Sequence, residues 1–311
     1  MDKTAFIFPG QGAQFVGMGK ELADAFPSAR AVFDEVDSAL GEKFSDLIWN
    51  GSEDDLKLTA NTQPALMAVS LASARALEAE FGVKISGATY VAGHSLGEYS
   101  ALAAANALSI GDAAKLLRFR GEAMQKAVPA GEGAMAALLG ASLEQAEAAC
   151  AAAEGVCEVA NDNAPGQVVI SGAKSAIESA IAWAKENGIK KGVLLPVSAP
   201  FHCTLMQLAA DAMADMLKQT DLNAPDVPVF ANVTAAPVED PETIRKLLVE
   251  QVTARVRWRE SVEAMAADGI ETMVECGAGK VLTVMNRRTV KSLNGITLGT
   301  PAELESFAGS L

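Results

Sequence analysis

The pentapeptide Gly93-His94-Ser95-Leu96-Gly97 has the residue types and spacing for nucleophilic chemistry. Small residues two places either side of Ser95 let the backbone turn sharply and present its hydroxyl, provided that a strand precedes and a helix follows. In that setting the Leu96 N–H faces an oxyanion formed at Ser95, and the helix dipole assists it. The same five residues also suit a plain Gly-Ser turn in which the serine caps a helix. A serine at its ordinary pKa is a weak nucleophile and needs a base. Of the two histidines, His94 adjoins Ser95, and its ring is expected to point away from the nucleophile into a structural hydrogen bond. His202, after Pro200-Phe201, is the better base. No obvious acid stands between Ser95 and His202, so a backbone or amide carbonyl is expected to orient the imidazole, with Gln251 as the candidate to supply it. Arg120, in Arg118-Phe119-Arg120-Gly121-Glu122, could hold a substrate carboxylate through two parallel hydrogen bonds, although a surface ion pair is the commoner fate of an arginine. Ser95 and His202 alone equally suit an esterase or thioesterase, and a binding subunit without catalysis needs neither.

The elements that must position these groups can be read along the chain. Thr4 to Phe8 forms a short buried strand that ends at Pro9-Gly10-Gln11-Gly12, and the first loop after a first strand is where α/β proteins bind ligands. A helix capped by Asn61 is expected to run to Phe81, with Gly82 closing it. Ala88 to Ala92 is strand-like, and helix resumes after Gly97 to about Asn106. Ser109 can cap the helix that bears Lys115 to Lys126, and with it Arg120. Strand alternating with helix predicts a mostly parallel sheet covered on both faces.

From Gly131 the order becomes βαββαβ: strand 134–139, helix 142–153, strands 157–160 and 167–171 around a turn at 161–166, helix 175–187 and strand 191–197. That order is ferredoxin-like. It predicts a small domain, 129–198, inserted into a large three-layer α/β domain made of 1–128 and 199–311, with a cleft between them. Alternation returns afterwards: helix 204–218, strand 227–233, helices 242–253 and 257–267, strand 270–275 and helix 279–289.

Composition narrows the partners. The 311 residues carry 25 Lys plus Arg against 39 Asp plus Glu, a net charge of −14, which disfavours nucleic acid and anionic membranes. The longest uncharged stretch, 192–210, holds two prolines and a histidine and is no spanning helix. The apolar run at residues 5–8 is too short for a secretory signal, so a cytoplasmic location is expected. Four cysteines without a C-x-x-C pair point to reduced thiols, and two histidines argue against a metal cage. Nothing marks a large apolar interface, so a monomer is expected.

Taken jointly, Phe8-Pro9-Gly10-Gln11-Gly12-Ala13-Gln14, Gly93-His94-Ser95-Leu96-Gly97-Glu98-Tyr99, Arg120-Gly121-Glu122-Ala123-Met124, Asn163-Ala164-Pro165-Gly166-Gln167 and Phe201-His202 resemble, in order, the signature segments of malonyl-CoA:acyl carrier protein transacylases. The resemblance covers essentially the whole chain. It implies Ser95 as nucleophile, His202 as base, backbone N–H groups of Gln11 and Leu96 as the oxyanion hole, and Arg120 as the holder of the malonyl carboxylate. It places Met124, Asn163, Phe201 and Gln251 among the substrate-binding residues. It also implies malonyl-CoA and acidic acyl carrier protein as partners, with no metal or redox cofactor. In related polyketide synthase domains, phenylalanine before the histidine accompanies malonyl and serine often accompanies methylmalonyl, so Phe201 is expected to favour malonyl. Against a net negative chain, the carrier protein would need a local basic patch: Lys190-Lys191, Arg255-Arg257-Arg259, or Arg287-Arg288 with Lys291.

Overall fold

The computed structural model describes residues 1–311. Its strands are β1 (Thr4–Phe8), β2 (Tyr90–Gly93), β3 (Gly133–Leu139), β4 (Cys157–Ala164), β5 (Gln167–Ala173), β6 (Lys191–Leu194), β7 (Val229–Ala231), β8 (Ala236–Val238), β9 (Thr272–Cys276) and β10 (Asn294–Leu298). Six of them form one sheet in the order β10-β9-β1-β2-β7-β8, parallel except for the β7–β8 edge pair. Both faces are covered, as side chains alternating along β1 require. Phe6 and Phe8 enter the main core with Leu66 and Val69, whereas Ala5 and Ile7 pack with Trp258, Val262 and Phe230 on the opposite face.

The helix Thr59–Phe81 lies in the middle of the main core and is buried on almost every side. Leu58 occupies its N-cap position, and Asn61 instead donates to the Asp55 carbonyl and accepts from Arg118. Gly82, at φ 70°, closes it as expected. The helix Ile110–Ala127 begins at Ser109, whose side chain accepts from the Asp112 N–H. It crosses the central helix at Gly121, where a Cβ would come within 2.5 Å of the Ala60 Cα. This close approach sets the depth at which the preceding residue, Arg120, is buried.

The remaining strands form an antiparallel sheet in the order β4-β5-β3-β6, backed by the helices Leu143–Ala151 and Lys174–Glu186 around a separate apolar core. Here β4 continues through Ala164, so the expected six-residue turn at 161–166 shrinks to Pro165-Gly166, with register shifts along the β4–β5 pair absorbing the excess. Bulged extension gives Asn161 and Asn163 fixed places in a strand. Midway along, β4 is stitched to the large sheet's helical layer: Val256 N–H donates to the Ala160 carbonyl, Asp162 N–H donates to the Val256 carbonyl, and Arg259 grips the Asp162 carboxylate through Nε and Nη2. No helix is long and apolar enough to cross a membrane.

Candidate active site

Ser95 stands on the turn between β2 and the helix Gly97–Ala104, the context that its pentapeptide demands. Its φ of 52° is left-handed, a strained conformation for a residue with a side chain. The flanking glycines are steric necessities: a Cβ on Gly93 would lie 1.9 Å from Gly97 backbone atoms, and one on Gly97 would lie 2.2 Å from the Phe8 carbonyl oxygen. The strained turn is clamped by Asn232, just beyond β7. Its Nδ2 donates to the Gly93 carbonyl at 2.7 Å, and its Oδ1 accepts from the Ser95 N–H at 2.7 Å.

The Ser95 Oγ lies 2.8 Å from His202 Nε2, and His202 Nδ1 lies 2.8 Å from the Gln251 main-chain oxygen. A carbonyl only accepts, so Nδ1 carries the proton and Nε2 is free to accept from the serine. Burial, followed by the nearby Arg120 charge, pushes the His202 pKa down to about 3, which keeps the ring neutral. His94 turns away, as expected: its Nε2 bonds Asn163 Oδ1 at 2.8 Å, and its ring packs beside Trp258. Burial lowers its pKa as well.

Arg120 is 1% exposed; its hydrogen-bond acceptors are all neutral, and the nearby Glu98 carboxyl acts on it only electrostatically. Nη1 donates to Gln63 Oε1 at 2.7 Å, and Nη2 donates to Gln251 Oε1 at 2.9 Å and to Ser95 Oγ at 3.2 Å. Nε, also buried, has no partner. The guanidinium lies 5.7 Å from the centre of the Tyr99 ring. The Gln251 side-chain amide faces the other way too, donating to the Ser95 carbonyl at 3.0 Å and to Glu98 Oε2 at 2.9 Å. Thus one residue touches serine, histidine and arginine together. Burial raises the Glu98 pKa to about 7, although hydrogen bonds from the Asn232 N–H and the Gln251 amide pull the other way.

These groups surround a pocket of about 150 Å³ between the two sheets. Gln11, Ser95, Leu96, Arg120, Met124, Asn163, Phe201 and His202 all line it, and Gln251 lies directly behind. The backbone N–H groups of Gln11 and Leu96 make no hydrogen bond within the protein. Gly10 permits the Gln11 loop to approach, since a Cβ there would meet the His94 carbonyl oxygen at 2.6 Å. The helix Val281–Thr289 supplies Val281, Leu282 and Met285 to the wall. Sequence reasoning assigned no role to Gln63, Glu98 or Asn232. The signal available for Asn232 was its position just past the carboxyl end of β7, which runs parallel to β2, since α/β sheets gather functional groups at that end.

A strained serine bonded to a neutral imidazole, beside unpaired N–H donors, suits acyl transfer. Residues 5–307 match the family model described as acyl transferase domain. The chain belongs to the acyl transferase family. This acyl transferase is 45% identical to the malonyl CoA-acyl carrier protein transacylase of Bacillus subtilis over 98% of its own length and 96% of that protein. Its fold is similar to the crystal structure of an acyl-carrier-protein-S-malonyltransferase from Bartonella henselae, with TM-score 0.96 and 53% identity over 99% and 98% of the two chains. A malonyl transacylase solved in complex with its type II polyketide synthase acyl-carrier protein has TM-score 0.95 and 40% identity, each chain covered to 99%.

Proposed function

We propose that this acyl transferase moves the malonyl group of malonyl-CoA to the phosphopantetheine thiol of acyl carrier protein, through a malonyl ester on Ser95. The observation that carries this reading is Arg120: a buried guanidinium that makes no ion-pair hydrogen bond and whose hydrogen-bond acceptors are all neutral, one of them the Ser95 Oγ itself. A buried cation gains most from an anionic ligand, and a malonyl group bound to Ser95 would bring a carboxylate to that guanidinium.

In the first half-reaction His202 Nε2 takes the Ser95 proton as Oγ attacks the thioester carbonyl. The Gln11 and Leu96 N–H groups receive the tetrahedral oxyanion, helped by the start of the Gly97–Ala104 helix. The C–S bond then breaks, and coenzyme A leaves with the proton from His202. In the second half the carrier thiol gives its proton to His202, its sulfur attacks the ester carbonyl, and Ser95 leaves with that proton. Every step uses the chain's own residues and its two thiol-bearing substrates, so no metal or redox cofactor is required. Met124 and Asn163 complete the pocket wall, and the Phe201 ring fills space that an α-methyl group would need.

The same reading takes 129–198 as a ferredoxin-like insert in a large α/β domain of residues 1–128 and 199–311. The order βαββαβ, the antiparallel sheet β4-β5-β3-β6 and the separate small core support it. Among the basic candidates for carrier docking, Arg255, Arg257 and Arg259 are engaged by Glu147, Glu260, Asp162 and Glu263. Arg287 and Arg288 are exposed on the helix whose inner face walls the pocket, and Lys190, Lys191 and Lys291 are exposed too. The Arg287-Arg288 pair is therefore the favoured docking site for an acidic partner.

The reading is tested by intact-protein mass spectrometry after brief incubation with malonyl-CoA, and again after holo acyl carrier protein is added. A malonyl adduct on Ser95 that moves to the carrier supports it. An adduct that decays to free malonate regardless of carrier makes the protein a hydrolase, and no adduct at all leaves only binding.

A further inference from the structure

Two of the four cysteines face each other outside the pocket. Cys150 lies in the last turn of the helix Leu143–Ala151 and Cys157 opens β4, with their Sγ atoms 3.3 Å apart. The transfer chemistry uses neither. Each residue is 9% exposed, and both line a surface hollow of about 440 Å³ with Glu147, Glu158 and Arg255. The hollow gives small reagents a path to the two sulfurs. Cys203 and Cys276 are buried without a sulfur neighbour of this kind.

We propose that Cys150 and Cys157 form a peroxide-responsive thiol pair that closes into a reversible disulfide. Bond formation needs the Sγ gap to shrink from 3.3 Å to about 2.05 Å, a small adjustment at a helix end joined by a short turn to a strand start. The hydrogen bond between the thiols favours a thiolate on Cys157, holding that thiol below its ordinary range and Cys150 above it. The Cys157 thiolate attacks one peroxide oxygen, the O–O bond breaks, and the departing hydroxide takes up a proton as water, leaving a sulfenic acid. The Cys150 sulfur then attacks Cys157 Sγ: the S–S bond forms, the S–O bond breaks, and hydroxide leaves as water with the Cys150 proton. The two sulfurs lose two electrons and peroxide gains two.

The new bond bears on the active site through the next residue. The Glu158 carboxylate accepts from the Thr204 N–H at 3.0 Å and from Thr204 Oγ1 at 2.6 Å, two residues after His202. Pulling the start of β4 toward the Leu143–Ala151 helix displaces this anchor, and with it the loop that holds His202 at a left-handed φ of 58°.

The test treats the full-length protein with hydrogen peroxide, alkylates remaining thiols under denaturing conditions and maps the peptides. The expected product is a Cys150–Cys157 cross-linked peptide that dithiothreitol reverses, with Cys203 and Cys276 still alkylated. In Cys150→Ser, Cys157 should instead accumulate as a sulfenic acid trapped by dimedone. No cross-link, or a cross-link to Cys203, overturns the site. A severalfold loss of malonyl transfer in the oxidised protein, absent from oxidised Cys150→Ser and restored by dithiothreitol, is expected for the coupling to His202. A complete cross-link with unchanged transfer overturns that coupling. The activity arm rests on the transferase reading, whereas the peptide map does not, so the two can fail separately.

Discussion

Arg120 Nη2 lies 3.2 Å from Ser95 Oγ, so the charge that would select the acyl group sits one hydrogen bond from the atom that would bond to it. Recognition and chemistry share one small volume. This contact makes the guanidinium a filter on which ester can form at Ser95, rather than a remote anchor for the coenzyme.

Arg120→Ala should therefore lower kcat/KM for malonyl-CoA by about a hundredfold or more, on the order of 3 kcal/mol for charged hydrogen bonds. Transfer of an uncharged acetyl group should persist or rise. Parallel kinetics with the two thioesters decide it, and unchanged malonyl kinetics would remove Arg120 from carboxylate binding.

Asn232→Ala should free the Ser95 N–H and the Gly93 carbonyl from their shared clamp. The expected result is a lower kcat with little change in KM, since the clamp shapes the nucleophile's turn and lies behind the pocket. Unfolding free energy should fall by about 1–3 kcal/mol, the cost of buried polar groups left unpaired. A variant that loses stability but keeps kcat would reduce Asn232 to a structural role.

Buried titratable groups set opposing pH responses. His94 and His202 are held below the usual histidine range, so below about pH 6.5 the unfolded chain binds protons that the folded chain refuses. Stability should fall as pH drops from there toward 3. Glu98, raised to about 7, does the reverse: between about 4.5 and 7 the folded chain holds a proton that the unfolded chain releases, so this contribution fades as pH rises. Each group changes stability by about 1.4 kcal/mol per pH unit within its window. Glu98→Gln should accordingly steepen the rise of stability from pH 4.5 to 6.5, measured by urea denaturation at several pH values. An unaltered slope would mean that Glu98 titrates normally.

Phe201 is 7% exposed and lines the pocket beside the base. Phe201→Ser should shift the ratio of methylmalonyl to malonyl kcat/KM upward by about tenfold to a hundredfold, the range of roughly 1–3 kcal/mol that one methyl group commands. Competition between the two thioesters in one vessel measures the ratio directly, and a constant ratio would clear Phe201 of this role.

How much of this was legible before folding depends on what each residue contributes. Ser95 announces itself because the glycines two places either side are demanded by close backbone approach, which a sequence records, whereas Arg120 stands out from other arginines only through the resemblance of its segment to a family signature. Scarcity narrows the base to two histidines, and His202 is preferred because His94 adjoins the nucleophile and points away from it. Gln251 was identifiable only in outline: its main-chain oxygen orients the histidine, and any residue type could offer that atom, while its side chain serves Arg120 and Ser95 at once. Gln63 hides within an apolar helix where a polar residue looks like an accident, and Asn232 follows a strand of only three residues. The helices between Lys20 and Lys57 and the last strand and helix are absent from the sequence expectations, although Pro27–Leu40, closed by Gly41, and the helix capped by Thr300 carry start and stop signals. The other helices before Lys57 are only five to seven residues long, and packing against the central helix decides them.

The bulged strand β4 has a mechanical consequence. It belongs to the small sheet, yet its middle is hydrogen-bonded at Val256 and gripped by Arg259, so it acts as a spacer bar between the two walls of the acyl chamber. A chamber held at one width would sort its guests by shape on arrival, and an ester formed inside it would last as long as the guest itself plugs the opening.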